Sequence, residues 1–392
     1  MNERICSGII MDIDHILDDF AGAGKVYLNN ASVSLLPTVS IKAMTDFLVS
    51  YNSGGPDSLY SGVYVTGNLR STRKVISEII GSRPEEIILT QSTTDGVNMV
   101  AGGMTYPPGS NIILRGAGHE HHANYYPWLN LAPRVGIKNL AIDRDGLFEV
   151  GSLRNVIDDE TRLVALSHAL YNTGAILPIC EVSEILSAYN IPLFLDAAQT
   201  IGCIGSTDVN DLGCDFMAFN GSKWLCGPMG TGFFYCKRGS ADLLQPLWIG
   251  GESSIMYDKD QLAPKDLPDK FQAGFRNYVG MVGLEASARY LLRHGLQNIR
   301  RKNIALANQL REGLLEIPGV EVHGPEDEDK RTSITSFTVS GHTSKSVVER
   351  MEMRGIILAE REIMERKVVR ASPHLFNTES EIQQVIEAIK AL

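Results

Sequence analysis

Pro192-Leu193-Phe194-Leu195-Asp196-Ala197-Ala198-Gln199 carries a short, wholly apolar run into a carboxylate and then into small residues. Downstream, Met217-Ala218-Phe219 leads into Asn220-Gly221-Ser222-Lys223-Trp224-Leu225-Cys226-Gly227-Pro228, which places a lysine in a Gly-rich turn between buried strands. Runs that are apolar throughout, rather than alternating, mark strands covered on both faces. Ile87-Ile88-Leu89-Thr90, Asn111-Ile112-Ile113-Leu114, Leu163-Val164-Ala165-Leu166 and Gly232-Phe233-Phe234-Tyr235 have the same character. Val182, Ile185, Leu186 and Tyr189 recur at helical spacing between two of these runs, as a crossover helix would. The alternation predicts an α/β fold with a mostly parallel sheet. Ligands collect at the carboxyl ends of such strands, where Thr90, Leu195 and their loops fall.

The pattern changes after about Gly250. The stretch to Asp269 reads as surface loop, a long helix follows from Val279 to about Leu315 with an interruption near His294-Gly295, Ile334 to Val339 alternates as a strand, and Glu379 to Leu392 closes as an amphipathic helix. A large domain over residues 25–260 and a smaller α+β domain over 1–24 and 261–392 are expected. Glu326-Asp327-Glu328-Asp329-Lys330-Arg331 reads as a solvated loop.

With 392 residues, 44 % hydrophobic and 21 % charged, the chain has the composition of a soluble enzyme with a large core. The net charge of -10 argues against nucleic acid or an anionic membrane as partner. Neither a secretory signal nor an apolar run of about 18 residues is evident, so a cytoplasmic location is expected. The six cysteines show no CxxC pair and read as reduced thiols.

A carboxylate at a strand end and a buried lysine on a following turn are the pair that pyridoxal 5'-phosphate (PLP) chemistry requires. The amine, neutral more readily when buried, joins the cofactor's aldehyde, and the carboxylate keeps the pyridine nitrogen protonated. Asp196 in isolation also suits a helix cap. Thr90-Gln91-Ser92-Thr93-Thr94-Asp95-Gly96 precedes a helix predicted to begin near Val97, and hydroxyls and free NH groups there suit a phosphate, although the same residues suit an ordinary cap. Gly118-His119-Glu120-His121-His122-Ala123-Asn124 invites a metal reading, but no distant ligand cluster accompanies it, so no metal is assigned.

Leu195 to Tyr235 resembles the PLP-dependent class V aminotransferase family, which includes cysteine desulfurases, cysteine/cystine lyases and isopenicillin N epimerases. The resemblance extends to Glu120 to Trp128, to Thr93-Thr94-Asp95-Gly96, to Tyr171-Asn172-Thr173-Gly174 and to Arg370-Ala371-Ser372 followed by Asn377-Thr378. It implies a fold type I transferase with a seven-stranded sheet in its large domain. It implies Lys223 as the lysine bound to the cofactor, His121 stacked on the ring, Asp196 on the pyridine nitrogen and Gln199 with Asn172 near the ring hydroxyl. Thr93 and Thr94 would hold the phosphate, supplemented by Asn220 and by Ser222, which stands where the family has histidine. Arg370 would clamp the carboxylate of a small amino-acid substrate, with Asn30 in the facing loop.

Two departures matter. No cysteine follows Cys236, so the mobile cysteine of the desulfurases is missing, and Glu360 to Lys367 stands in its place. Gln272-Ala273-Gly274-Phe275-Arg276-Asn277 lacks the family's phosphate-binding threonine, leaving Arg276 to reach a neighbouring subunit's cofactor in a homodimer with a shared active site. The expected function is carbon-sulfur cleavage of cysteine or cystine without a persulfide cysteine. Transamination, epimerisation and a noncatalytic PLP-binding role are the alternatives.

Overall fold

The computed structural model describes residues 13–20, 24–116 and 120–392. Cys6, His119 and much of the 1–24 segment expected in the smaller domain lie outside these residues. After β1 (Val26–Tyr27) come seven strands: β2 (Ile87–Thr90), β3 (Asn111–Arg115), β4 (Gly136–Leu140), β5 (Thr161–Ser167), β6 (Leu193–Asp196), β7 (Phe216–Asn220) and β8 (Gly232–Cys236). They form one sheet in the order β2-β8-β7-β6-β5-β3-β4. β8 is antiparallel to both neighbours, and every other pairing in the sheet is parallel.

The apolar runs occupy its interior and its β2 edge, and β2, β3, β6 and β8 are buried at every position. The edge strand β4 is only partly buried and carries Lys138 and Asn139, so it gives no such run. The helix after β2 spans Thr93–Gly103, one turn earlier than expected, because the Ser92 hydroxyl caps it by accepting from the Asp95 NH at 3.2 Å. Gly96 is required there: a Cβ would lie 2.6 Å from that of Ala218, so the helix packs directly on β7.

The expected loop after Gly250 instead contains an exposed antiparallel hairpin, β9 (Ser254–Asp258) with β10 (Gln261–Pro264). Its largely exposed side chains contribute little to the core, so a two-faced apolar pattern is not required. The long helix divides at Gly295 into Tyr278–His294 and Leu296–Leu315. The first half packs on the Thr38–Ser53 and Leu59–Ile80 helices.

The C-terminal part contains β11 (Val320–His323), β12 (Thr335–Val339), β13 (Ile356–Ile357), β14 (Ala359–Ile363) and β15 (Arg366–Ala371). Four of these make an antiparallel sheet in the order β11-β12-β15-β14, while β13 pairs with β1. Leu306, Leu310, Phe337, Val369, Ile382 and Ile386 build a core here, together with Val26 and Leu28 from the N-terminal strand region. Asn30 Nδ2 donates to the Ser372 carbonyl at 2.8 Å and Ser372 N to the Leu28 carbonyl at 2.8 Å, stitching the loop after β1 to the chain leaving β15. That stitch faces the carboxyl ends of the central strands.

Candidate active site

A cavity of about 350 Å³ lies where these parts meet. Asp196 stands at its floor as the last residue of β6, in register with Ser167 of β5 and Ala218 of β7. The Ala198 NH donates to Asp196 Oδ1 at 2.9 Å. Burial raises the carboxyl to about 6, against the opposing pull of Lys223. Lys223 reaches the same cavity from the turn after β7. Burial lowers its ammonium to about 8, although Asp196 opposes the shift.

The lysine turn is held from both sides. Trp224 Nε1 donates to Gln199 Oε1 at 2.9 Å, and Gln199 Nε2 donates to the Ala31 carbonyl at 3.0 Å. His374 Nε2 meets the Trp224 carbonyl at 3.0 Å, with the carbonyl as acceptor. Gln199 thus lines the cavity and also ties the lysine turn to the loop after β1.

One wall is the start of the Thr93–Gly103 helix, where Ser92, Thr93 and Thr94 line the cavity. Gly232 at the start of β8 allows this close approach, since a Cβ would lie 2.7 Å from the Ser92 nitrogen. Asn220 lines the same wall, and its buried Oδ1 has no hydrogen-bond partner. Helix NH groups beside three hydroxyls form a cradle for a dianion.

His121 opposes this floor as N-cap of the His122–Leu129 helix, its Nδ1 accepting from the Ala123 NH at 3.1 Å. Desolvation, then the cationic Lys223, hold its imidazole below the usual range. Tyr171 packs edge-on against His121, with ring centroids 5.0 Å apart. Beneath His121 lies a buried ion pair that the sequence reading passed over. Arg115 Nη2 meets Glu120 Oε1 at 3.0 Å, while Glu120 Oε2 accepts from Ser167 Oγ at 2.6 Å and Asn124 Nδ2 at 3.1 Å. This network fixes the His121 loop to the end of β5, beside Asp196.

Arg370 lies at the end of β15 and is 1 % exposed. Its Nη1 donates to the Tyr171 carbonyl at 2.7 Å and its Nη2 to Ser32 Oγ at 2.7 Å, while Nε has no partner. Arg361 of β14 reaches the same cavity, and its Nη2 donates to Ser32 Oγ at 2.5 Å. Among the described residues, neither guanidinium has a carboxylate within 4.0 Å. Burial and then Arg361 hold Arg370 well below the usual arginine range. Arg361 was legible only as part of a charged run.

Lys223, His121, Asp196, Thr93, Thr94, Gln199, Asn220 and Arg370 therefore line one cavity. Four other expected residues do not form its wall. Asn172 donates from Nδ2 to the Glu362 carbonyl at 2.8 Å and accepts from the Thr173 NH at 2.9 Å. Asn30 is fully buried, bonded to Ser372 and to Ser34 Oγ at 2.7 Å. Ser222 Oγ accepts from Asn220 Nδ2 at 3.2 Å, behind the wall. Arg276 pairs with Glu252 at 2.6 Å and with Gln272 Oε1 at 2.8 Å.

The Aminotransferase class-V model matches residues 26–385. The chain belongs to the class-V aminotransferase family. A probable cysteine desulfurase of Methanothermobacter thermautotrophicus is 32 % identical over 382 residues, covering 94 % of each chain. Among solved structures, the apo cysteine desulfurase of Thermococcus onnurineus NA1 superposes with a TM-score of 0.89 at 27 % identity, covering 96 % of each chain. The cystine C-S lyase C-DES, solved with its product cysteine persulfide, superposes with a TM-score of 0.87 at 24 % identity, covering 94 % of this chain and 98 % of that one. That last likeness concerns the fold, which is the fold type I architecture of PLP-dependent enzymes. The class-V cofactor is PLP, and the residues present suit it: a hydroxyl-rich helix start for phosphate, a buried carboxylate for the pyridine nitrogen and a lysine of lowered pKa for the aldehyde.

Proposed function

We propose that the protein cleaves the carbon-sulfur bond of cysteine or cystine by β-elimination, without a protein thiol as sulfur acceptor. The observation that carries this reading is the convergence of Asp196, Lys223, Arg361 and Arg370 on one cavity, with no cysteine among the described residues that line it. Similarity to probable cysteine desulfurases supports the sulfur amino acid as substrate.

When bound, PLP supplies an aldehyde for the amine and a ring that withdraws electrons from the substrate's α carbon. Thr93, Thr94, Ser92 and the helix NH groups would hold its phosphate, His121 would cover one face of the ring, and Asp196 would keep a proton on the pyridine nitrogen. Arg370 binds the substrate carboxylate through nitrogens that no protein carboxylate occupies. Arg361 stands beside it to hold the outward part of the substrate. Lys223 would take the α proton of the substrate, a role that its lowered pKa suits at neutral pH. The β carbon-sulfur bond then breaks with its electron pair leaving on sulfur. With water, cysteine yields pyruvate, ammonia and hydrogen sulfide; cystine yields pyruvate, ammonia and cysteine persulfide.

The missing acceptor is the feature that separates this reading from a persulfide mechanism. The segment before Arg370 is an ordered hairpin, β14 to β15, turning at Met364-Glu365 and carrying no thiol. Cys226, on the lysine turn, is fully buried, bonded to Ser34 Oγ at 3.4 Å and raised to about 12 by burial, so it is a poor nucleophile.

A homodimer with a shared site is part of the same proposal. Leu59, Val63 and Phe275 are 94 %, 76 % and 86 % exposed, an unusual cost for large apolar side chains. Phe275 packs on Tyr278, whose electrostatic neighbours include Asp57 and Arg276, so the two stretches share one face. A second copy covering that face would bring Arg276 toward its partner's cofactor phosphate. The five described cysteines are all free, which supports a reducing, cytoplasmic compartment. The test is a screen of the twenty amino acids and cystine on PLP-loaded protein, following pyruvate, sulfide, amino transfer and racemisation together. Pyruvate and reduced sulfur only from cysteine or cystine are expected; amino transfer or racemisation without sulfur release would replace the proposal.

A further inference from the structure

A second cavity, of about 730 Å³, lies away from the site on the far side of the β14–β15 hairpin. Its walls come from the Arg144-Asp145 turn, the Leu296–Leu315 helix, β11 and the hairpin tip. Arg311 and Arg331, deep in its wall, are 7 % and 4 % exposed. Neither has a carboxylate within ion-pair distance among the described residues. Arg311 Nη1 donates only to the His323 carbonyl, at 3.3 Å. Arg331 donates from Nε to the Glu326 carbonyl at 3.4 Å and from Nη2 to Asn308 Oδ1 at 2.5 Å, and its Nη1 has no partner among the described residues.

A buried guanidinium without a counter-charge is costly, and two that repel each other are more so. Burial first, and then Arg311, bring Arg331 down to about 10. Glu326 and Asp145 offset part of this for Arg311 through space, but among the described residues no carboxylate of the cavity forms an ion pair with either arginine. Glu321 is taken by Arg366 at 2.6 Å, Asp145 lies 3.8 Å from Arg144, and Glu312 and Glu326 are exposed at the rim. The result is a cationic floor under a rim of mixed, hydrated charge. A dianion with oxygens on several sides matches the floor, because each guanidinium directs several NH groups within one plane.

We propose that this cavity binds a small dianion of the phosphate class, held between Arg311 and Arg331. The site is separate from the PLP cavity and shares none of its lining residues. It reaches the hairpin tip through Met364 and Arg366, so its occupant rests against the same hairpin that carries Arg361 and Arg370.

Calorimetric titration of the full-length, PLP-loaded protein with inorganic phosphate, and in a parallel arm with glycerol 3-phosphate, tests this. Saturable binding, weakened tenfold or more by Arg311→Met and unchanged by Arg370→Lys, is expected; the arm with the lower Kd identifies a free phosphate or a monoester as the source. Arg331→Gln should weaken binding similarly, and if that variant does not fold, as judged by circular dichroism, Arg311→Met alone decides. No saturable binding, or binding that survives Arg311→Met and is lost in Arg370→Lys, overturns the proposal.

Discussion

The cradle around Lys223 and the hairpin around Arg370 face each other across one cavity, yet they are built in different ways. The cradle is made of strand ends and tight turns of the central sheet: Asp196 ends β6, Lys223 follows β7, and the Thr93–Gly103 helix begins just beyond β2. Lys223 apart, its polar groups are short, and Asp196, Ser92 and Gln199 are fixed by hydrogen bonds to the backbone. The hairpin side consists of long guanidinium side chains, and both Arg361 and Arg370 lean on the single Ser32 hydroxyl. Under the proposed function, the half built on strand ends holds the cofactor and the half made of long side chains meets the substrate, so the chemistry would begin in the first region and be specified in the second.

Breaking the strand-end half should have the largest effect. Lys223→Ala removes both the cofactor's anchor and the base at the α carbon, and turnover of cystine should fall by roughly 10²–10⁴-fold or more. Absorbance of the bound cofactor would check it; an unchanged spectrum and rate would remove Lys223 from its assigned role. Arg370→Ala should cost about 2–5 kcal/mol in kcat/KM, mostly through KM, as expected for losing a buried charged contact. Arg361→Ala should cost less, about 1.5–3 kcal/mol, because Arg361 is only half-buried and a charged hydrogen bond has that worth. Steady-state kinetics with cysteine and with cystine sharpen the comparison: a larger loss for cystine would place Arg361 on the outward half of the substrate.

The smallest effect concerns pH and the link between the two regions. His374, which holds the Trp224 carbonyl, and His168, beside Asp196, are both lowered to about 4 by burial. Their folded forms exclude a proton that the unfolded chain accepts below about 6.5. Stability is therefore complete above that value and is lost as pH falls toward 4. From pH 7 to 6 the two together should cost roughly 1.4 kcal/mol, approaching about 1.4 kcal/mol per unit for each at lower pH. Denaturant titrations at several pH values check the slope, with His374→Asn expected to reduce it.

The strand-end half was also the legible half. Asp196, Lys223 and the strand runs are local patterns, and strands buried on both faces leave little room for another reading. The partly buried edge strand β4 and the exposed strands β9 and β10 lack that constraint and gave no comparable apolar run. Arg361 could not be separated from its charged neighbours, because its importance depends on β14 folding back along β15. Glu120 was read only within the unassigned metal pattern and a family motif, since its partners Arg115 and Ser167 come from two separate strands. Asn30 and Asn172 show the converse: their amides are already engaged in tying loops behind the wall.

Carbon-sulfur cleavage without a protein thiol is decided by turnover of cystine by PLP-loaded protein before and after exhaustive alkylation of its accessible cysteines. Pyruvate and cysteine persulfide are expected at the same rate in both samples. Failure to release pyruvate, or release abolished by alkylation, would contradict it.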